Sequence, residues 1–172
     1  VTSAVAGLPI PVIAAMDGDA FDHGLELALA ADIRISSDCA RFALTDLVQG
    51  VLPWDGGSQR LPRLVGPSWA RDMLFTGRIV SATEALQIGL VNRVVKREEL
   101  LAQVTLLAKN VVAGAPIATR YAKEAVQMGL DLTLYQGLRM EADLNILLHG
   151  TADRSEGIKS FLERRKPHFR EG

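Results

Sequence analysis

The segment that most constrains this chain is Pro11–Asp32, PVIAAMDGDAFDHGLELALAAD. A short apolar run, Val12–Met16, reads as a buried strand, a Gly/Asp-rich turn follows at Asp17–Asp22, and His23–Ala31 reads as a helix that is apolar almost all round. A second short strand, Asp32–Ser36, comes directly after it. Two parallel strands need a crossover to reconnect them, so strand, helix and strand in this order predict a parallel pair. One carboxylate, Glu26, lies in the first turn of the helix among Leu25, Leu27, Ala28 and Leu29. Burying an ionised side chain costs several kcal/mol unless it is paired or hydrogen-bonded. Glu26 is therefore either a satisfied structural acid complementing the helix dipole or a functional one.

Beyond this unit, Arg41–Leu44 reads as another short strand and Gly50–Gly57, GVLPWDGG, as a loop. Ser58–Leu64 is one or two helical turns, and Pro67 suits the first position of a helix over Ser68–Phe75 that Thr76-Gly77 ends. Ser81-Ala-Thr-Glu84 has the form of a capping box before Ala85–Ile88, with Gly89 just past the helix end. Leu90–Val95 is a strand by its β-branched content. After Lys96 the character changes. Arg97–Val112, Ile117–Met128, Leu134–Leu148 and Asp153–Arg164 carry apolar residues at helical spacing, and no strand signal remains. The reading is a mixed α/β region over 1–96 and an all-helical region over 97–172. The wide apolar stripes of those helices suit packing on the core or on a neighbouring subunit.

Composition excludes several classes of function. A net charge of −1 over 172 residues gives no basic surface for nucleic acid. No apolar stretch reaches the roughly 18 residues of a membrane span. The single cysteine, Cys39, excludes an internal disulfide and fits a reducing, cytoplasmic setting. Three scattered histidines, His23, His149 and His168, show no metal-ligand spacing, so no metal site is expected. The opening VTSAVAGLP lacks the basic flank of a signal peptide and resembles the end of a helix begun elsewhere, so the chain is expected to be a fragment or a processed piece.

Four stretches carry a resemblance. In order, PVIAAMDGDAFDHGLELALAADIRISSDCARFAL, GVLPWDGGSQRLPRLVG, LFTGRIVSATEALQIGLVNRVV and the closing EGIKSFLERRKPHF resemble the enoyl-CoA hydratase/isomerase (crotonase) superfamily. The resemblance implies an α/β fold, a crotonase-like ββα spiral whose N-terminal strands are missing from this chain, with a C-terminal helical region that drives trimers or dimers of trimers. It implies an acyl-CoA thioester substrate and no cofactor, coenzyme A entering only as part of the substrate.

It also implies roles for particular residues. The thioester oxygen needs two N–H donors as an enolate forms. One is expected from the turn Asp22-His23-Gly24, through the backbone N–H of His23 with Gly24 beside it, where relatives commonly have three glycines. A positive φ at His23 would be strained. Its side chain is expected to point away into solvent or packing, and Asp22 to cap the helix. Glu26 matches the first of two catalytic acids in hydratases, and Asp46 the second, usually Glu. The bland reading of Asp46 is a loop Asp capping local backbone. Asp55, in PWDGG, matches an Asp of some hydrolase and synthase members, or simply makes a turn with Gly56. Trp54 and Asp22 are placed at the substrate pocket. Phe161 and Arg164 match positions that meet the adenine end of CoA across a subunit boundary, against the bland reading of one core aromatic and one exposed cation.

Three functions follow in order. The first is hydration of a 2-enoyl-CoA, with Glu26 and Asp46 as acid and base. The second is isomerisation or C–C hydrolysis using Glu26 or Asp55. The third is a catalytically degenerate member kept for acyl-CoA binding or assembly, which the Asp22-His23 and Glu-to-Asp departures favour.

Overall fold

In the computed structural model, which describes residues 1–170, the strand–helix–strand segment forms as the sequence predicts. Strand β1 (Ile13–Met16) and β3 (Ile33–Ser37) run parallel, joined through helix α2 (His23–Leu29). The register pairs Ala15 with Ile35 and Met16 with Ser36, so by the period of two Met16 and Ile35 lie on opposite faces of the sheet, and both are buried. The turn before α2 holds an element with no sequence signal, the two-residue strand β2 (Ala20–Phe21). β2 belongs to a second sheet, where it pairs in parallel with β4 (Arg41–Ala43). Chain progress therefore alternates between two sheets, β1 and β3 in one, β2 and β4 in the other.

The next turn of the chain repeats this alternation. A 3₁₀ turn, Asp46–Gln49, leads into the loop and then helix α3 (Gly57–Thr76), which is broken at Gly66 (φ 80°, ψ 160°). The two helical pieces read from Ser58 and Pro67 thus both form, separated by the non-helical Gly66. Pro67 directly follows that break, where its missing N–H costs nothing. Strand β5 (Val80–Ser81) pairs antiparallel with β4, helix α4 (Ala82–Gln87) follows, and β6 (Arg93–Val95) joins β3 in parallel. The capping box of α4 forms by half. Ser81 accepts from the Glu84 N–H at 3.3 Å, but the Glu84 carboxylate turns to Arg78 at 2.6 Å.

The strand read over Leu90–Val95 is shorter than expected. The N–H groups of Leu90 and Val91 bond to the Ala85 carbonyl at the end of α4, which spends these apolar residues on the core instead of a ladder. Leu25, Phe42, Leu44, Leu61, Met73, Val80 and Leu90 form that core, all fully buried. Deleting one such Leu side chain costs roughly 2–5 kcal/mol. The buried Arg34 locks the end of α2 to this core. Its guanidinium donates to Ala31 O at 2.6 Å and Leu90 O at 2.9 Å, so its charge is satisfied by carbonyl dipoles while burial pushes its pKa down.

Backbone proximity divides the chain into two compact units, Val1–Leu8 with Val12–Leu107, and Pro9–Pro11 with the chain from Ala108 onward. The first holds α1 (Thr2–Ala6), both sheets and α2–α4. In the second, α6 (Pro116–Gly129) packs against α7 (Leu134–His149), followed by α8 (Ala152–Leu162), and α5 (Leu100–Val112) precedes them in sequence. Helix α7 starts in a full capping box, Thr133 with Gln136, which the apolar spacing alone does not show. Arg165 folds back on α8 and holds Glu156 at 2.5 and 2.9 Å. No single helix among the described residues is long and apolar enough to cross a membrane.

Candidate active site

Helix α2 brings Glu26 into the first unit fully buried, and the loop after the 3₁₀ turn supplies its partners. Glu26 Oε1 accepts the backbone N–H of Asp55 at 2.9 Å and of Gly57 at 2.8 Å. Two glycines make this possible. Gly56 sits at φ 103°, and a Cβ on Gly57 would come within 3.0 Å of Glu26 Oε1. Asp55-Gly56 is therefore a turn, and the turn is also the clamp of an acid. Gly57 is a site residue that sequence reasoning misses, although two consecutive glycines after an acid are its signal.

Glu26 Oε2 has one hydrogen-bond partner among the described residues, His23 Nδ1 at 3.1 Å. This corrects the expectation of a His23 ring turned away. One turn of helix separates residues 23 and 26, so the ring folds back over the carboxylate while its side chain stays 67% exposed. His23 itself is spared backbone strain. Asp22, not His23, carries the positive φ (48°, ψ −116°). A non-glycine residue there costs on the order of 1–3 kcal/mol. Asp22 makes no side-chain cap on α2. Its carboxylate instead accepts the Thr45 N–H at 2.5 Å and the Thr45 hydroxyl at 2.9 and 3.1 Å, which ties the strained turn to the end of β4. The N–H groups of His23 and Gly24, opening α2, lack an intrahelical acceptor, as helix starts do.

Asp46 stands beside this cluster at the start of the 3₁₀ turn. Its Oδ2 is buried without a hydrogen-bond partner among the described residues. Burial, and then the negative charges of Asp22 and Glu26, push its pKa up, with His23 opposing them. Asp55 also joins the group, for one ligand-type atom from each of His23, Glu26 and Asp55 lies within 4.8 Å of the others. The Asp55 carbonyl is held by the Thr2 hydroxyl at 2.8 Å and by Arg60.

Trp54 is 77% exposed and rims a cavity of about 480 Å³ with Arg60 and Arg63. Gly24 lines a separate, apolar cavity of about 380 Å³ with Met16 and Leu27. Phe161 and Arg164 lie in the second unit. Phe161 is 82% exposed, so it is no core aromatic of this chain. Arg164 follows the end of α8 at φ 54°, its N–H on the Phe161 carbonyl, and α8 stops at Leu162 rather than running on to Arg164.

The family model for enoyl-CoA hydratase/isomerase matches residues 2–172. The chain belongs to the enoyl-CoA hydratase/isomerase family. It is 42% identical over 159 residues to the crotonyl-CoA hydratase of Syntrophomonas wolfei, covering 92% of this chain and 61% of that protein. A short-chain-enoyl-CoA hydratase of Clostridioides difficile is 46% identical over 150 residues, 87% of this chain and 96% of that protein. The crystal structure of an enoyl-CoA hydratase from Bacillus anthracis superposes with a TM-score of 0.97 at 40% identity, covering 99% of this chain and 66% of that one. The chain thus spans about three fifths of the length of the Syntrophomonas relative. Its fold is the crotonase-like α/β one that the sequence resemblance implied.

Proposed function

We propose that this chain carries the acid–base half of an acyl-CoA lyase that hydrates 2-enoyl-CoA thioesters. The observation that carries the proposal is the asymmetry of two neighbouring acids. Glu26 is fixed through Oε1, so Oε2 has a set direction. Asp46 is biased toward its protonated form by burial and by the charges of Asp22 and Glu26. An acid fixed in direction beside one biased toward its protonated form suits an addition in which one takes a proton and the other gives one. Glu26 Oε2 draws a proton from water as its oxygen bonds to C3. Asp46 delivers a proton to C2, and the C2–C3 double bond becomes single. Charge building on the thioester oxygen meets the His23 N–H, with Gly24 beside it, at the start of α2. Trp54 and Asp22 border the substrate, and no cofactor beyond the CoA portion of the substrate takes part.

The related proteins named above support the substrate class. The exposed apolar side chains of α7 and α8, Leu134, Tyr135, Ile146, Leu147 and Phe161, support assembly into a trimer or hexamer by the helical region 97–172, alongside the spiral region 1–96. Phe161 and Arg164 would then meet CoA of a neighbouring copy. The proposed location is the cytoplasm. A second reading, an isomerase or C–C hydrolase, draws on the approach of Asp55 to Glu26.

The test is turnover of 2-enoyl-CoA thioesters of graded chain length by the natural protein, followed as loss of the conjugated thioester absorbance. Hydration predicts that loss and a 3-hydroxyacyl-CoA product. No turnover across the panel excludes it.

A further inference from the structure

Four carboxyl groups, of Asp22, Glu26, Asp46 and Asp55, gather around the single imidazole of His23. Among the described residues, none of the four is paired with a Lys or Arg side chain. Arg60, a guanidinium at the same loop, spends itself on the Asp55 carbonyl. The buried Asp46 Oδ2 has no hydrogen-bond partner among the described residues. Such a concentration of carboxyl groups in a half-buried site favours a cation.

The donor set says which kind. Imidazole with carboxylates suits borderline transition ions, not Mg²⁺ or Ca²⁺, which take all-oxygen shells. A tetrahedral Zn²⁺ with bonds near 2.0–2.1 Å sets its ligand atoms about 3.3 Å apart. His23 Nδ1 and Glu26 Oε2 already stand 3.1 Å apart, and Asp55 offers an oxygen within 4.8 Å of both. Drawing the Asp55 oxygen in from at most 4.8 Å to about 3.3 Å, a shift of up to roughly 1.5 Å, closes the set. The outer shell is also built. Two backbone N–H groups hold Glu26 Oε1 and thereby aim Oε2, the kind of outer-shell orientation that metal carboxylates need. The exposed His23 ring gives an entry path.

We propose that His23 Nδ1, Glu26 Oε2 and an Asp55 carboxylate oxygen form a binding site for a borderline divalent transition ion such as Zn²⁺, with water in the remaining position. Resting on the hydratase reading, bound Zn²⁺ removes Glu26 Oε2 from acid–base service and is an inhibitor. Binding itself does not depend on that reading, because it needs no substrate.

The experiment titrates the chelator-treated protein with Zn²⁺ by calorimetry and with Co²⁺ by visible absorption. One ion per chain is expected, with a tetrahedral-type Co²⁺ spectrum. His23→Gln and Asp55→Asn should each weaken binding at least tenfold, with circular dichroism and thermal melting confirming that the variants fold. Cys39→Ser and His149→Gln should bind as the parent does. No binding overturns the proposal, as does parental affinity in both His23→Gln and Asp55→Asn, or binding that is lost with Cys39 or His149. A protein that binds Zn²⁺ without hydrating any enoyl-CoA keeps this proposal and rejects the other. One that hydrates without binding Zn²⁺ does the reverse.

Discussion

The backbone N–H of Gly57 donates to Oε1 of Glu26 at 2.8 Å, joining the start of α3 to the only carboxylate buried in α2. The bond depends on a missing side chain, because a Cβ at 57 would also press on Pro53 at 3.1 Å and Leu44 at 3.2 Å. Gly57→Ala should therefore destabilise the fold by about 1–3 kcal/mol and lower turnover together, the first read by denaturant unfolding. A parental unfolding midpoint would show that the loop moves aside freely.

Glu26→Gln keeps an acceptor for the two N–H groups and removes the proton-accepting oxygen. It should fold with near-parental stability and lose turnover on the order of 100-fold or more, measured as enoyl-CoA absorbance loss. Asp46→Asn should be similarly damaging under the hydratase reading. If Asp55→Asn hurts more than Asp46→Asn, the isomerase or hydrolase reading gains.

Asp46 also makes a stability prediction. Its pKa is raised in the folded state, so the folded chain holds a proton that the unfolded chain has lost. Stability from this group is complete below the unfolded value of 3.8 and is lost as pH rises through the folded value. Asp46→Asn removes the charged form. It should raise Tm at pH 7, by roughly 2–4 °C for each kcal/mol recovered, and change little near pH 3.

Asp22 tests the turn. Asp22→Ala keeps the positive φ and loses the contacts with Thr45, whereas Asp22→Gly loses the contacts and relieves the backbone. The Ala variant should be the less stable of the two by about 1 kcal/mol or more in urea unfolding. Equal stabilities would mean that the strain at 22 is absorbed elsewhere.

In the second unit, Arg165 draws the pKa of Glu156 down to about 2, first by its hydrogen bonds, with the His168 N–H assisting. A lowered carboxyl contributes stability above its unfolded value of 4.5 and loses it as pH falls toward 2. The carboxyl resonance of Glu156 should titrate near 2 in the parent and return toward 4.5 in Arg165→Gln.

Much of the spiral is legible in the sequence because it rests on local chemistry. The strand–helix–strand unit, the helix end at Gly77 and the four late helices follow from apolar spacing, glycine and proline, which act over a few residues. The short strands β2 and β5 are not legible. Two residues carry no period, and each exists because a neighbour from elsewhere in the chain, β4, supplies its ladder. Leu90 and Val91 mislead for the same reason, since apolar and β-branched content marks burial as readily as pairing.

The sequence by itself determined the family, the acid at 26 and its place one helical turn after the Asp22-His23-Gly24 turn, because order and spacing along the chain carry that information. Tertiary structure decided what surrounds Glu26. Gly57, Asp55 and Asp46 reach it from a segment some twenty to thirty positions away, and the His23 ring, itself largely exposed, sets Nδ1 against Glu26. It also placed the strained φ at Asp22, whose carboxylate is held by Thr45 just past β4. Hydrogen bonds and charges act through space, and space is set only when the two sheets close on their shared core.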